Sequence, residues 1–497
     1  MEFTPVGALC VIAILLVIAR PLSWGVALLG AFLPLQVAAS VNLPALGGSS
    51  IITIHVLVGA FLLAFLLRPA LASALFADAR GRAPTVIFAV FFIYAAMSAF
   101  VMPRLFQGVV DVFSLSRPEH GTLIVMSPLK PTSSNITQAF YIGINFVLFA
   151  SLAFVVGRAG GARAGATLVA SATVVHLVFA AVSAFPHFGP TAAVLDFIRT
   201  ANYAIASHHT IGGVPRIIGS YPEPSSFGAM SAGLLAYNAV RFAQRPTFLS
   251  GAATAGLLGC VVTAMSSTSY AVLAVIGGLF MLRMLVTMIS RGVTAEEQMV
   301  LVAAGVLVIL ATTLFFFLEP ARAFASRLFD VLFASKMQSY SGIERSSWNM
   351  QSLRNLVETY GLGVGLGSAR ASSLVTALLG NVGVIGAVLY ASFLGSSFLR
   401  RSPTQGDGES SADFATQRRL FEAARAGAFA LLLSQLISGG TVDGGSQFFA
   451  FAAVAAAAFR SARTAPSTAA VISTRTSPRG RFFWAGGGAT TRFPQAH

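Results

Sequence analysis

Long apolar runs separated by short polar stretches make up almost the whole chain. They lie near 4–19, 21–39, 51–67, 84–101, 139–157, 166–185, 224–240, 248–265, 271–288, 299–317, 373–399, 424–439 and 447–459, about thirteen in all. A helix of roughly 17–25 apolar residues crosses a hydrocarbon core of about 30 Å. The pattern therefore predicts an all-α polytopic membrane protein with about 12 to 13 transmembrane helices. Only Arg20 and Pro21 join the first two runs, which form a tight hairpin or one broken element, and the last run is short for a span.

Polar positions set the expected orientation. Arg68, Arg80 and Arg82, then Arg158 and Arg163, Arg241 and Arg245, Arg291, and Arg400 with Arg401 fall on alternate connections. Short arginine-rich loops mark the cytoplasmic side. The long loops 102–138, 186–223 and 318–372 then share the opposite face, where the chemistry is expected. Residues 460–497 carry Arg460, Arg463, Arg475, Arg479 and Arg481 and are rich in Ser, Thr and Gly. They read as a disordered cytoplasmic tail, leaving 1–459 as one membrane domain. In the last long loop, "EPARAFASRLFDVLFAS" places Phe324, Leu328, Val331 and Leu332 on one helical face and Arg322, Ser326, Arg327 and Asp330 on the other. Such a helix suits the outer leaflet surface.

Composition agrees, with 56% hydrophobic and 10% charged residues, against about a quarter charged in soluble domains. The net charge of +15 is spread between apolar runs and not gathered on one surface, so no nucleic-acid partner is expected. Cys10 and Cys260 both lie inside apolar runs and suggest neither a disulfide framework nor a metal site. The N-terminus lacks the basic n-region of a cleavable signal and reads as a retained first helix. His55 and His176, within spans, read as core histidines.

Two stretches carry candidate chemistry. In "RIIGSYPEPSSFG", Pro224 suits the first turn of a helix and Glu223 sits at its N-terminus, where the macrodipole favours negative charge. A capped helix start explains that much. Arg199, His208, His209 and Arg216 in the same loop add the reading of an anionic-ligand site. In "ERSSWNMQSLRNLVETYGLGVGLGSARASS", Arg345 and Arg354 lie nine residues apart, about 180° round a helix, so only one can be central. Trp348 and Asn349 share the Arg345 side; Trp348 would otherwise be an interfacial anchor. Gly361, Gly363, Gly365 and Gly367 alternate and would let backbone amides approach a phosphate, without the Lys and Ser/Thr of a P-loop. "NIT" at Asn135 has the form of a glycosylation acceptor.

Together with "SSTSYA" between two spans and "LLGNVGVIGAVLY" after the glycines, these motifs resemble the O-antigen polymerase and O-antigen ligase superfamily over roughly 140–440. The resemblance implies a bacterial inner-membrane enzyme acting at the periplasmic face on sugars carried by undecaprenyl diphosphate. It implies no metal, nucleotide sugar or other cofactor, and it brings in a chain-length regulator and export machinery as further partners. The family's loop arginines correspond to Arg216 and Arg345, with Arg354 matching a third. Loop 318–372 lacks the histidine that ligases place there, which favours a polymerase. Relatives often carry Asn at the position of Glu223 and Arg within the "SSTSYA" motif.

A lipid-diphosphate sugar already has a good leaving group. The enzyme needs cations for the diphosphate, which arginine supplies through its planar fork, and a group to orient the acceptor hydroxyl and take its proton. Glu223 is the first candidate for that group, with His209 and His208 next; Arg216, Arg345, Arg199, Arg354, Trp348 and Asn349 are the candidates for binding. The chain contains no Asp-x-Asp. Transfer to a lipid or protein acceptor, a lipid-linked sugar flippase or transporter, and a sensor or structural protein remain the alternatives. Ion-coupled carriers keep ionisable groups near the midplane, and these runs hold almost no acids.

Overall fold

The computed structural model describes residues 1–457 apart from 45–47, 117–122, 159, 186–187, 203–204, 206–209, 212–213, much of 293–316, 335–339 and 400–410. Strand β1 (Glu2–Phe3) leads into α1 (Pro5–Ala19), a π turn at Pro21–Gly25 and α2 (Val26–Phe32). Strands β2 (Ala39–Leu43) and β3 (Ser49–Ile52) precede α3 (Thr53–Leu66), α4 (Pro69–Gly81) and α5 (Ala83–Leu105). A ribbon of β4 (Asp111–Ser116) and β5 (Leu123–Pro128) joins α5 to α6 (Ser133–Val156), followed by α7 (Gly161–Ala184) and α8 (Gly189–Ile198). The short strands β6 (Thr210–Ile211) and β7 (Val214–Pro215) come before α9 (Pro224–Gln244), α10 (Phe248–Thr263) and α11 (Ser267–Arg291). The remaining described helices are α12 (Glu319–Phe329), α13 (Tyr340–Glu358), α14 (Leu374–Phe398), α15 (Ser411–Ser438) and α16 (Gly445–Ala457). Proline in the first turn, where its missing N–H is no loss, starts α1, α4, α5 and α9.

Six described helices are long and apolar enough to cross a membrane: α5, α6, α7, α11 to Ser290, α14, and α15 from Phe414. Helices α3 and α4 pass that test only as a pair bent by 110°, which makes at most a seventh, broken span. This is an all-α membrane protein by composition and architecture, with fewer full-length spans among the described residues than the apolar runs suggest. The runs at 4–19, 248–265 and 447–459 form shorter helices; the run at 21–39 is a broken element whose end enters β2. The run at 299–317 and the tail at 460–497 lie largely or wholly outside the described residues.

Helix α9 teaches why hydropathy alone misleads. It is not among the six, because Ser225, Ser226, Ser231, Asn238 and Arg241 dilute its apolar residues. Yet Phe227, Met230, Ser231, Leu234 and Tyr237 are all buried. A Cβ at Gly228 would meet the Ser269 hydroxyl of α11, and one at Gly233 would meet Leu431 of α15. Small residues let backbones approach in a bundle, whereas lipid-facing helices must be apolar outward. Helix α11 is the converse, since its apolar window is only 11% buried. Below the centre, Phe88 stacks on Phe449 at 4.8 Å and packs edge-on against Phe149.

The two ends of the bundle differ. At one end, Arg68 donates to Ile18 O, Gln244 to Arg419 O, and Arg283 pairs with Glu422 at 3.2 Å. At the other, β1, β2 and β3 form an antiparallel sheet with Phe3 opposite Val41 and Asn42 opposite Ser50. The β4–β5 ribbon, the start of α9 and the chain between α13 and α14 share this second end. Helix α12 forms as expected, but Phe324, Leu328 and nearby Leu332 pack against Ile211, Met265 and Tyr270. Its apolar face is thus used on protein, with Val331 left exposed.

Candidate functional site

The site is organised by residues 359–372, a loop that is buried where loops are normally exposed. Thr359, Val364 and Leu366 have no accessible surface. Buried amides need partners, and most of this loop's find one. Gly363 N donates to Thr359 Oγ1, Val364 N to Gly380 O, Gly365 N to Asn381 O, and Leu366 N to Ser98 Oγ. Ala369 N donates to Asn381 Oδ1 at 3.0 Å, while Asn381 Nδ2 donates back to Ala369 O at 2.9 Å. Asn135 of α6 closes the other side, donating to Leu366 O and Ser368 Oγ.

The alternating glycines follow from this threading. All four have positive φ, from 79° to 96°, a region that a Cβ disfavours. A Cβ at Gly365 would lie 2.5 Å from Pro103 Cδ and 2.7 Å from Ser98 O, and one at Gly363 would lie 2.6 Å from Asn381 O. The expected phosphate cradle is thus narrowed, because the amides of Gly361, Gly363 and Gly365 are spent on α13, Thr359 and α14, and only Gly367 lines the larger cavity. Gly383, at φ 65°, breaks α14 so that Val384 N can reach Gly361 O. Asn135 is likewise a buried tie and not a glycosylation acceptor.

The loop delivers Arg370 to a cavity of about 380 Å³. Its backbone N–H donates to Phe113 O at 2.8 Å, and its guanidinium lies 5.3 Å from the Trp348 ring centre. Among the described residues Arg370 is the only charged side chain lining this cavity; Ser49, Ser50, Thr132, Gln138 and Tyr141 supply hydroxyl and amide groups, and Phe113 an aromatic edge. Arg370 is exposed by its accessible surface, but crowding by neighbouring atoms still lowers its pKa from its ordinary value; Glu223 opposes that, Arg345 reinforces it and Glu344 opposes it. Arginine stays cationic under such shifts.

A second cavity of about 170 Å³ is lined by Glu223, Ser225, Ser226, Gln435, Gly444 and Gln447, among others. Glu223 is the N-cap of α9 with extended φ and ψ, but its side chain makes no capping bond to the helix. Its Oε1 instead accepts from Ser225 Oγ at 2.7 Å and Ser226 Oγ at 3.2 Å. Arg216 is half-buried and donates through Nε to Ala264 O at 3.2 Å, with its other guanidinium nitrogens unbonded among the described residues. Burial lowers its pKa too, against the raising influence of Glu223 and Tyr270. Glu223 is thus in electrostatic reach of both Arg216 and Arg370.

The other candidates are placed less uniformly. Arg345 is half-buried and near Arg370, whereas Arg354 is exposed, as their opposite helical positions require. Asn349 Oδ1 accepts from Ser372 N and Thr376 Oγ1, both at 2.7 Å, which makes it a brace between α13 and α14. Arg199 ends α8 next to Thr200, whose amide bonds Val37 O, and lines neither cavity. Burial lowers its pKa and Asp196 opposes the shift. His208 and His209 lie outside the described residues. His176 is buried, bonded to Ser231 Oγ at 2.8 Å and stacked on Phe227, as a core histidine should be. Among the described residues no three His, Cys, Asp or Glu side chains converge as a metal site would require.

Sequence reasoning passed over Arg370 as one cation among several, and Asn381 and Asp443 altogether. Only the asparagine within an otherwise apolar run marked Asn381, since a polar group there needs a buried partner. Comparison with family models and with curated proteins returned no match.

Proposed function

We propose that this chain is a polysaccharide polymerase of the bacterial cytoplasmic membrane. It would transfer a glycan from an undecaprenyl-diphosphate carrier to another lipid-linked repeat at the periplasmic face, within a fold of about 12 to 13 membrane segments counting short and broken ones. The observation that carries this reading is Arg370, presented by a loop bonded to three neighbouring helices as the one charge among the described residues of a hydroxyl-lined cavity. A guanidinium matches diphosphate oxygens, hydroxyl and amide groups match a saccharide, and about 380 Å³ falls in the usual range for small-ligand sites. Arg216 and Arg345 extend the positive field toward the membrane, where the isoprenoid tail remains. Glu223 orients the acceptor hydroxyl and balances the cations. The chemistry calls for neither metal nor nucleotide.

The test uses purified full-length protein in nanodiscs with a lipid-diphosphate-linked repeat, and products are resolved on a gel. A ladder of lengthened chains is expected from the wild type, and none from Arg216→Ala combined with Arg370→Ala. If the wild type moves the lipid across the bilayer but never lengthens the glycan, the polymerase reading fails and the flippase alternative stands. In cells, retained single repeats on deletion indicate a polymerase; repeats missing from their final acceptor indicate a ligase.

A further inference from the structure

The last connection of the bundle, between α15 and α16, contains an acid that uses only one of its two side-chain oxygens. Asp443 Oδ1 accepts from Asn145 Nδ2 at 2.7 Å and from Gly445 N at 3.1 Å. Ser446 Oγ donates to Asn145 Oδ1 at 2.8 Å, which fixes the asparagine with its NH₂ toward the carboxylate. All these donors are neutral. Among the described residues Asp443 has no ion-pair partner, Oδ2 has no hydrogen bond, and the residue is only half-buried. One carboxylate oxygen is therefore held in place while the other is left for a further partner.

Its position adds a second argument. Gly440, Thr441 and Val442 line the larger cavity with Arg370, and Gly444 lines the smaller one with Glu223. Asp443 is thus the residue between two segments that face the two cavities. Tyr390 closes the remaining side: its hydroxyl is buried without a partner, and a Cβ at Gly444 would lie 3.2 Å from it. Glu223, by contrast, is already engaged by two serine hydroxyls and lies in the electrostatic field of Arg216 and Arg370.

We infer that Asp443 Oδ2 is the proton acceptor of the glycosyl transfer, a role that rests on the functional reading above. The acceptor hydroxyl oxygen bonds to the anomeric carbon, the bond from that carbon to the diphosphate oxygen breaks, and the diphosphate leaves with the electron pair. The hydroxyl proton passes to Asp443 Oδ2, while Asn145 and the Gly445 amide hold the other oxygen. Burial raises the Asp443 carboxyl pKa above its ordinary value, opposed by the Gly445 amide and Asn145, which favours proton uptake during the reaction. The groups facing it, Asn145, Ser446, Tyr390 and the Gly445 amide, carry no charge at neutral pH.

The experiment measures turnover and donor KM of the purified protein from pH 4 to 8. Asp443→Asn preserves shape and should lower turnover about 100-fold or more at nearly unchanged KM, and formate should partly restore Asp443→Ala. Wild-type turnover should fall about tenfold per pH unit on the acid side of one group, with a midpoint above 3.8. Turnover of Asp443→Asn within threefold of wild type overturns the assignment while the polymerase reading survives. A flat wild-type profile does the same and needs no folded variant. A wild type that transfers nothing from any lipid-diphosphate saccharide overturns both.

Discussion

Helix α13 and the loop that follows it both carry arginine to the same end of the bundle, but by opposite means. Along α13, Arg345 and Arg354 are displayed on a helical surface, and the 100° step per residue decides which faces inward. Past Thr359 the chain abandons helix, goes under its neighbours and is fixed by side chains of three other helices before it releases Arg370. A helix can be read from periodicity. A threaded loop can be read only from its partners, and it gives a more rigid placement, as a precisely aimed cation requires.

The comparison predicts unequal consequences of substitution. The largest is Gly365→Ala, which combines φ of 96° with overlap on Pro103 and Ser98. It should cost about 3–5 kcal/mol and appear as loss of a monodisperse peak in detergent. Asn381→Ala comes next: it strips bonds from Ala369 N and Ala369 O. About 2–3 kcal/mol of stability should go, measured by thermal unfolding. Arg370→Ala removes only the cation, so the fold should survive while donor turnover falls about 10- to 100-fold, the equivalent of one charged hydrogen bond. The smallest effect belongs to Arg354→Ala, exposed on the far side of α13; activity and melting should change by less than about twofold and about 0.5 kcal/mol respectively. Equal losses at Arg354 and Arg370 would erase the distinction between the two regions.

Much of the helical layout was legible. The start of α9 was marked by proline, and the helical spacing along α13 set the half-buried Arg345 apart from the exposed Arg354. The count of spans was less legible, because an apolar run states that a segment is buried without saying whether lipid or protein buries it. Helix α9 and the run at 21–39 show both sides of that ambiguity. At the site, Arg216 and Glu223 were found because proline and charge stand out locally. Asp443 was not, since its partner Asn145 lies 298 positions away.

Local pattern alone thus determined that the chain belongs in a membrane, which segments are helical, and where charge gathers at helix ends. These depend on transfer energies and on spacings of three or four residues. Tertiary structure decided which arginine lines the larger cavity, why four glycines alternate, and which acid keeps a free oxygen next in sequence to residues of both linings. Those outcomes depend on contacts between helices far apart in sequence, where the need to bond every buried polar group selects partners that no local pattern can reveal.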